Sequence, residues 1–502
     1  MTFINSVVSW LIKKRIHQIE LFKLYPNEVQ QEWFFKLIKT AKDTEWGKKY
    51  DYKSIKSVNE FQRRVPVSTY EDIFPYINRL RRGEKNILWP EEIKWYAKSS
   101  GTTAGKSKFI PVSESTIEEC HFKGGKDVLT LYLNNNPDSE IFDGKGLLMG
   151  GSSNIQEVNN SSYYEGDLSA ILIQNMPYWA QLMRTPSLAI AMMEEWESKI
   201  ELMAESTLDH DVTSISGVPS WTLVLLRKVL ELSGKNVISE VWPNLEVFFH
   251  GGVGITPYMN EYRRIIGNDN MKYYETYNAS EGFFGIQDLP DSKEMLLMLD
   301  YGIFYEFIPF EELENENHRT LQLNEVELYK NYALVITTNS GLWRYKIGDT
   351  VMFTSLSPYR IKITGRTKNF INVVGEELII DNADKALSIA SAKTGATVAD
   401  YTAAPLFINN TITHEWLIEF VKEPDNFDFF CEAFDTALKS LNSDYEAKRY
   451  HNMVLQPPLI RKIKKGTFYK WLKKQNKLGG QHKVPRLSND RKYIQDIYSC
   501  CV

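Results

Sequence analysis

A large α/β domain followed by a small α+β domain is the fold this sequence predicts. Three observations carry the prediction. Short runs of strand type alternate with runs of helical period up to about residue 365, the pattern of an α/β domain with a largely parallel sheet. The character of the chain changes after Gly365-Arg366. The 502 residues are 43% hydrophobic and 25% charged, so a chain of this size buries about three quarters of its unfolded surface and needs no staples.

Residues 1–50 read as helix. Ile12, Ile16, Ile19 and Phe22 recur at helical spacing, as do Phe34, Leu37 and Ile38, and Pro26 separates the two runs. The apolar stretch 3–12 is short and lacks a basic leader, so it reads as an amphipathic helix and not as a signal peptide. Further along, 187–205 and 219–232 have helical period. Residues 246–250 form a strand that ends in Gly251-Gly252, and 332–338 form another that ends in Asn339-Ser340-Gly341. Beyond the boundary at Gly365–Lys368, helices are predicted at 384–394 and 426–441, and strands at 413–422 and 451–456. The domains are therefore 1–365 and 366–502.

Charge and cysteine content narrow the function. The net charge is −5, which argues against a chain-wide nucleic-acid footprint. No run reaches the ~18 apolar residues of a spanning helix. Cys120, Cys431, Cys500 and Cys501 show no C-x-x-C spacing, which speaks against a disulfide framework or a cysteine zinc site and places the chain in reducing cytoplasm. Residues 461–492 hold twelve basic side chains and one acidic one, Asp490. That run reads either as a solvated basic helix or as a surface facing a polyanion such as ATP.

The most informative segment is 95–110, Trp-Tyr-Ala-Lys-Ser-Ser-Gly-Thr-Thr-Ala-Gly-Lys-Ser-Lys-Phe-Ile. Glycines 101 and 105 let backbone N–H groups wrap phosphate oxygens. The hydroxyls of Ser99, Ser100, Thr102 and Thr103 add hydrogen bonds, and Lys108 adds charge. It is not a Walker A loop. Three residues separate Gly101 from Gly105 where that pattern needs four, and Phe109-Ile110-Pro111-Val112 reads as strand, not helix. Helix onset is expected later, at the capping-box pattern beginning with Ser115. The segment is a phosphate loop between two strands.

Strand–loop–strand with S-S-G-T-T-x-G-x-x-K resembles the phosphate loop of the adenylate-forming superfamily, and further motifs follow in that superfamily's order. Tyr277-Asn278-Ala279-Ser280-Glu281 resembles its aromatic-x-x-[ST]-Glu signature. Tyr345-Lys346-Ile347-Gly348-Asp349 resembles Y-R-x-G-D, with Lys346 in place of the usual Arg. Gly365-Arg366-Thr367-Lys368 resembles its hinge motif. Gly479-Gly480-Gln481-His482-Lys483 places one lysine in a glycine-flanked loop. The Ile-Pro-Val after the phosphate loop, Ser-Glu-Gly-Phe-Phe-Gly at 280–285, Val-Pro-Val-Ser-Thr-Tyr at 65–70 and Gln-x-Lys-Val-Pro-Arg-Leu at 481–487 resemble the Gretchen Hagen family within it. That family holds the acyl acid amido synthetases of plant auxin and jasmonate conjugation, with bacterial members.

The resemblance implies an ATP- and Mg²⁺-dependent ligase. A carboxylic acid becomes acyl-AMP with release of pyrophosphate, and an amine, of an amino acid, then takes the acyl group. Phosphates fall to Ser99, Ser100, Gly101, Thr102, Thr103, Gly105 and Lys108, with the Ser280 hydroxyl beside them. Tyr277 packs near adenine, Glu281 holds Mg²⁺, and Asp349 and Arg366 meet the ribose. Lys483 either reaches the acyl-adenylate as a mobile small domain closes or is solvated, and Lys368 is the hinge. The expected partners are small acid and amino acid substrates, with no nucleic acid or membrane, and the protein acts as a monomer. Two other readings stand beside this one: an acyl-CoA synthetase with CoA as acceptor, and a nucleotide-sensing or RNA-binding protein using the basic run. His250 reads either as lining the adenine pocket or as a hydrogen-bonded strand cap. Candidates for the acyl pocket lie on the helix opening 217–221 and near Tyr163.

Overall fold

The computed structural model describes every residue except 1, 100–107, 151–152, 159–160, 194, 253, 314, 316–318, 368–369, 372, 375, 377, 409–410, 450–454, 476–477, 479–482 and 501–502. Three helices, Thr2–Leu24, Pro26–Ala41 and Glu45–Lys49, open the chain. Pro26 occupies the first turn of the second, where its missing N–H costs nothing. Ile19, Phe22, Phe34, Leu37 and Ile38 are buried in the main core.

An eleven-stranded sheet forms the spine. It begins with four strands, Ile303–Pro309, Asn331–Thr338, Tyr345–Leu356 and Tyr359–Arg366. Next come Met295–Leu297, Gly282–Ile286 and Lys272–Ala279, and then Val247–Gly251, Val212–Gly217, Lys145–Leu148 and Arg184–Thr185. From Lys272–Ala279 onward the pairs are parallel. Every pair before it is antiparallel. The expected largely parallel sheet is therefore a mixed one. Connection length is the reason. Two residues, Ser280 and Glu281, join one pair, and Ser357-Pro358 joins another. Turns that short close only antiparallel hairpins, whereas the parallel pairs are bridged by helices such as Pro219–Ser233 and Met259–Ile266.

A second sheet holds Lys108–Val112, Trp95–Ser99, Ser161–Gly166 and Ser153–Val158. The first two pair antiparallel, with Ser99 opposite Lys108, so strands flank the phosphate-loop segment on both sides. Helix onset after it differs from expectation. Ser113, not Ser115, is the cap, its Oγ accepting from the Thr116 N–H at 2.9 Å. The run at 187–205 is two helices, Leu188–Ala191 and Trp196–Thr207, and the Glu195 carboxylate caps the second.

After residue 366 the chain forms a three-stranded sheet of Thr397–Ile408, Thr411–Lys422 and Leu459–Ile463. Helices Ile380–Thr394 and Phe427–Leu441 share its core. The strand expected at 451–456 falls mostly outside the described residues. Leu455 makes a single bridge to Ile412, and the paired strand is 459–463. Within the basic run lies a helix, Thr467–Lys474. Five of the twelve basic residues meet carboxylates. Arg461 and Arg491 pair with Glu415, Lys462 with Glu423, Lys473 with Glu197, and Arg486 with Asp384. Of these five, Arg461, Lys462 and Lys473 stay about half exposed, and Arg486 is buried. Phe468, Trp471, Leu472 and Val484 join the apolar cluster built on Trp221, Phe248 and Tyr262, so the small domain is docked against the large one.

Candidate active site

The strand register brings the motif residues together. Asp349 and Arg366 are directly opposed on neighbouring strands. Arg366 Nε donates to Asp349 Oδ1 at 2.8 Å, and Tyr277 Oη donates to Oδ2 at 2.7 Å. Gly348 precedes the carboxylate at φ +94, a backbone state that favours glycine. Tyr277 is buried against Phe284, with ring centroids 4.8 Å apart. One carboxylate is thus fixed from two sides and keeps lone pairs for further donors.

Ser280 and Glu281 form the tight turn between strands 272–279 and 282–286. Both are buried, and the Ser280 hydroxyl has no hydrogen-bond partner among the described residues. Burial pushes the Glu281 carboxyl up, and the nearby Lys108 ammonium offsets part of that. Lys108 opens the strand after the phosphate-loop segment, its Nζ 3.4 Å from the Tyr345 hydroxyl. Ser99 lines the same cavity, which encloses about 1170 Å³ between the two domains. Ser100, Gly101, Thr102, Thr103, Gly105 and the expected hinge Lys368 lie outside the described residues.

Lys483 reaches this cavity from the small domain. Its Nζ donates to the carbonyl of Gly252, a glycine at φ +80 where a side chain would be strained. The residue is exposed to solvent and lines the cavity. Desolvation by the surrounding protein, with repulsion from Arg366, pushes its pKa down to about 8, against the pull of Asp349.

Two further cavity residues form a pair that the motifs leave out. His250 and Glu275 are register partners on parallel strands, and both line the cavity. Burial pushes His250 down to about 3, so the imidazole is neutral. Its Nδ1 has no hydrogen-bond partner among the described residues, which goes against the reading of a hydrogen-bonded strand cap. Glu275 is pushed up to about 7, first by burial and then by Asp381 and Asp384 of the small domain. Glu275 lies two residues before Tyr277 and so shares its strand face; that alternation is the signal that could have found it. Of the acyl-pocket candidates, Gly217 is the register partner of His250 and the Val218 side chain lies beside Gly252, at the edge of the cavity. Trp221 packs on Trp196 at 4.7 Å, and the Tyr163 hydroxyl accepts from Arg81 at 3.1 Å.

The chemistry of the donors suits a nucleotide with its cation. Among the described residues no group of three or more His, Cys, Asp or Glu could hold a metal by itself. Mg²⁺, however, takes one or two carboxylates and completes its shell with phosphate oxygens and water. The buried Glu281 carboxylate beside the unpartnered Ser280 hydroxyl fits that demand.

A large mixed α/β domain, a small α+β domain and a cleft between them is the architecture of the adenylate-forming enzymes. Residues 15–271 match the GH3 family N-terminal domain, 296–366 its central domain and 381–492 its C-terminal domain; the chain belongs to the GH3 (Gretchen Hagen) family. It is 24% identical to indole-3-acetic acid-amido synthetase GH3.3 of Arabidopsis thaliana, over 94% of this chain and 91% of that protein. It is also 24% identical to a 4-substituted benzoates-glutamate ligase, GH3.12, of the same plant, over 88% and 89%. Among solved structures, the GH3.15 acyl acid amido synthetase superposes with a TM-score of 0.80 at 17% identity, covering 97% of this chain and 95% of that one. A 2-hydroxyisobutyryl-CoA ligase reaches 0.60 at 12%, covering 94% and 90%.

Proposed function

We propose that the cleft couples ATP to amide formation between a small carboxylic acid and an amino acid. The observation that carries this reading is convergence. Asp349, Tyr277 and Glu281 of the large domain, Arg366 at the domain boundary and Lys483 of the small domain line one cavity, and the Lys108 ammonium lies near Glu281. The GH3 relatives named as amido synthetases and amino acid ligases support the same reaction.

A carboxylate does not acylate amines because oxide is too poor a leaving group. In the first step its oxygen attacks the α-phosphorus of ATP and pyrophosphate departs, leaving a mixed anhydride. The chain's contribution is position and charge. Ser99, Ser100, Gly101, Thr102, Thr103 and Gly105 hold the phosphates with Lys108, and the Ser280 hydroxyl donates to them. Asp349, already braced by Arg366 and Tyr277, accepts from the ribose diol, and adenine packs near Tyr277. Glu281 would hold Mg²⁺, which supplies charge neutralisation at the phosphates when bound. The Lys483 ammonium meets the charge that develops at the α-phosphate. In the second step the neutral amine attacks the acyl carbonyl and AMP leaves. Lys368 is the hinge that lets 366–502 turn between the steps, and the protein acts as a monomer in the cytoplasm. No described helix is long and apolar enough to cross a membrane.

Product analysis tests this. The protein is given ATP, Mg²⁺ and a panel of carboxylic acids, with either pooled amino acids or CoA, and the products are read by mass spectrometry. The expected result is an N-acyl amino acid with one AMP per amide. A thioester in the CoA arm and no amide in the other would move the protein to the acyl-CoA synthetases.

A further inference from the structure

One arm of the small domain grips a single loop of the large domain at both ends. At the start of that loop the Gly252 carbonyl accepts from Lys483. At its end the Tyr258 hydroxyl accepts from Arg486 Nη2 at 2.9 Å. The arm is an extension of the small sheet. The Ala403 N–H donates to the Arg486 carbonyl at 2.8 Å, the Ser488 N–H to the Ala403 carbonyl at 3.1 Å, and Thr402 Oγ1 to the Pro485 carbonyl at 2.6 Å. Lys483 therefore moves wherever the small domain moves.

Arg486 is buried, and the small domain meets its charge. Nη1 donates to Asp384 Oδ1 at 2.5 Å, Asp400 lies 3.7 Å away, and the guanidinium sits 4.6 Å from the centre of the Tyr401 ring. Tyr258 is the partner it takes from the large domain. Two further side-chain ties across the cleft, from Lys473 and the Tyr469 hydroxyl to Glu197 at 2.8 and 2.9 Å, lie at an exposed carboxylate, and such surface contacts hold little. The apolar contacts of Phe468, Trp471 and Leu472 attract without fixing an angle, because burial has no direction. A hydrogen bond from a guanidinium has one.

We infer that Arg486 is a positioning residue whose hydrogen bond to Tyr258 latches the small domain in the pose that seats Lys483 for adenylation. The inference rests on the amide-synthetase reading, in which the first step needs Lys483 at the phosphates and the second needs space at the carbonyl. The latch is suited to repeated opening. When the domain turns, Arg486 keeps Asp384, Asp400 and Tyr401, so one hydrogen bond to a neutral hydroxyl is lost and no buried charge is stranded. A buried cross-domain ion pair would leave two.

Tyr258→Phe removes the accepting hydroxyl and leaves both cores intact. Rapid quench then follows acyl-AMP formation and, separately, attack of an amino acid on acyl-AMP supplied preformed. Adenylation should slow about tenfold, equivalent to about 1.4 kcal/mol for one charge-assisted hydrogen bond, while aminolysis stays within about twofold, less than a typical single hydrogen bond. Arg486→Lys, which keeps the charge beside Asp384 but lacks the fork, should show the same split. Small-angle scattering of the nucleotide-free protein should give a larger radius of gyration for Tyr258→Phe than for wild type. Equal slowing of both steps, or no slowing, overturns the latch. If the wild-type protein forms no acyl-AMP with any acid, the catalytic reading fails by itself; the scattering comparison still decides the latch, and equal radii overturn it.

Discussion

Two arginine–carboxylate pairs border the same sheet, Arg344 just before strand 345–356 and Arg366 at the end of strand 359–366, and they differ in everything but distance. Arg344 and Glu306 are 2.9 Å apart, with side chains 4% and 1% exposed. Arg366 and Asp349 are 2.8 Å apart, at 36% and 15%. The first arginine also donates to the carbonyls of Gln62 and Val65 and to the Thr320 hydroxyl. It ties the early helices to the sheet and has no capacity left. The second engages Asp349 through Nε alone among the bonds described, beside a cavity. Spare hydrogen-bonding capacity next to open space, and not closeness, separates the pair proposed to bind nucleotide from the framework pair.

The largest expected effect breaks the framework pair. Arg344→Met leaves Glu306 buried and unpaired, and should lower stability by about 3–5 kcal/mol in urea unfolding. Arg344→Met with Glu306→Leu should recover most of that, and the adenylation rate per folded molecule should hold in both. A stable Arg344→Met protein with crippled adenylation would put Arg344 in the site instead. Next is the cleft pair. Arg366→Gln should cost adenylation about a hundredfold, on the scale of one preorganised donor, while stability changes by less than about 1 kcal/mol because the pair is partly exposed. Calorimetry and steady-state rates on the same preparation separate the two outcomes.

A third cation sharpens the contrast through pH. Lys483 is pushed down to about 8, so its ammonium is present below that pH and is lost above it. The kcat/KM for ATP should fall about tenfold per pH unit above about 8, as free-enzyme titration requires. The limb should be absent in Lys483→Ala, whose residual rate is flat across the same range. The smallest effect concerns the brace. Tyr277→Phe removes one of the two donors to Asp349 and should raise the KM for ATP about fivefold, the equivalent of about 1 kcal/mol for one hydrogen bond. A fall in kcat with KM unchanged would mean that Tyr277 acts in the transition state instead.

Much of the candidate site was legible because its residues sit in short motifs on strands and turns: Tyr277 and Glu281 around one hairpin turn, Asp349 and Arg366 on neighbouring strands. Their mutual contacts were not legible, since register between strands is set by connections that the motifs do not record. The same gap produced the largely parallel reading. The two-residue turns at 280–281 and 357–358 force antiparallel pairing, but each lay inside a motif or an unremarked stretch. Strand Thr397–Ile408 escaped notice because Ala403-Ala404-Pro405 has weak strand character. It forms at the sheet edge, where Pro405 needs no donor. The ion pairs of the basic run were not legible because their carboxylates, Glu197, Glu415 and Glu423, lie far away in sequence.

The central claim is that a carboxylic acid is activated by AMP in this cleft, and acid-dependent exchange of labelled pyrophosphate into ATP measures that step alone, before any acceptor is needed. With the panel of carboxylic acids at pH 7, the wild-type protein should incorporate label with at least one acid and none without, and Asp349→Ala should reduce incorporation by about a hundredfold, on the scale of losing one preorganised contact. Exchange that is absent across the panel, or that proceeds without an acid, would contradict the account.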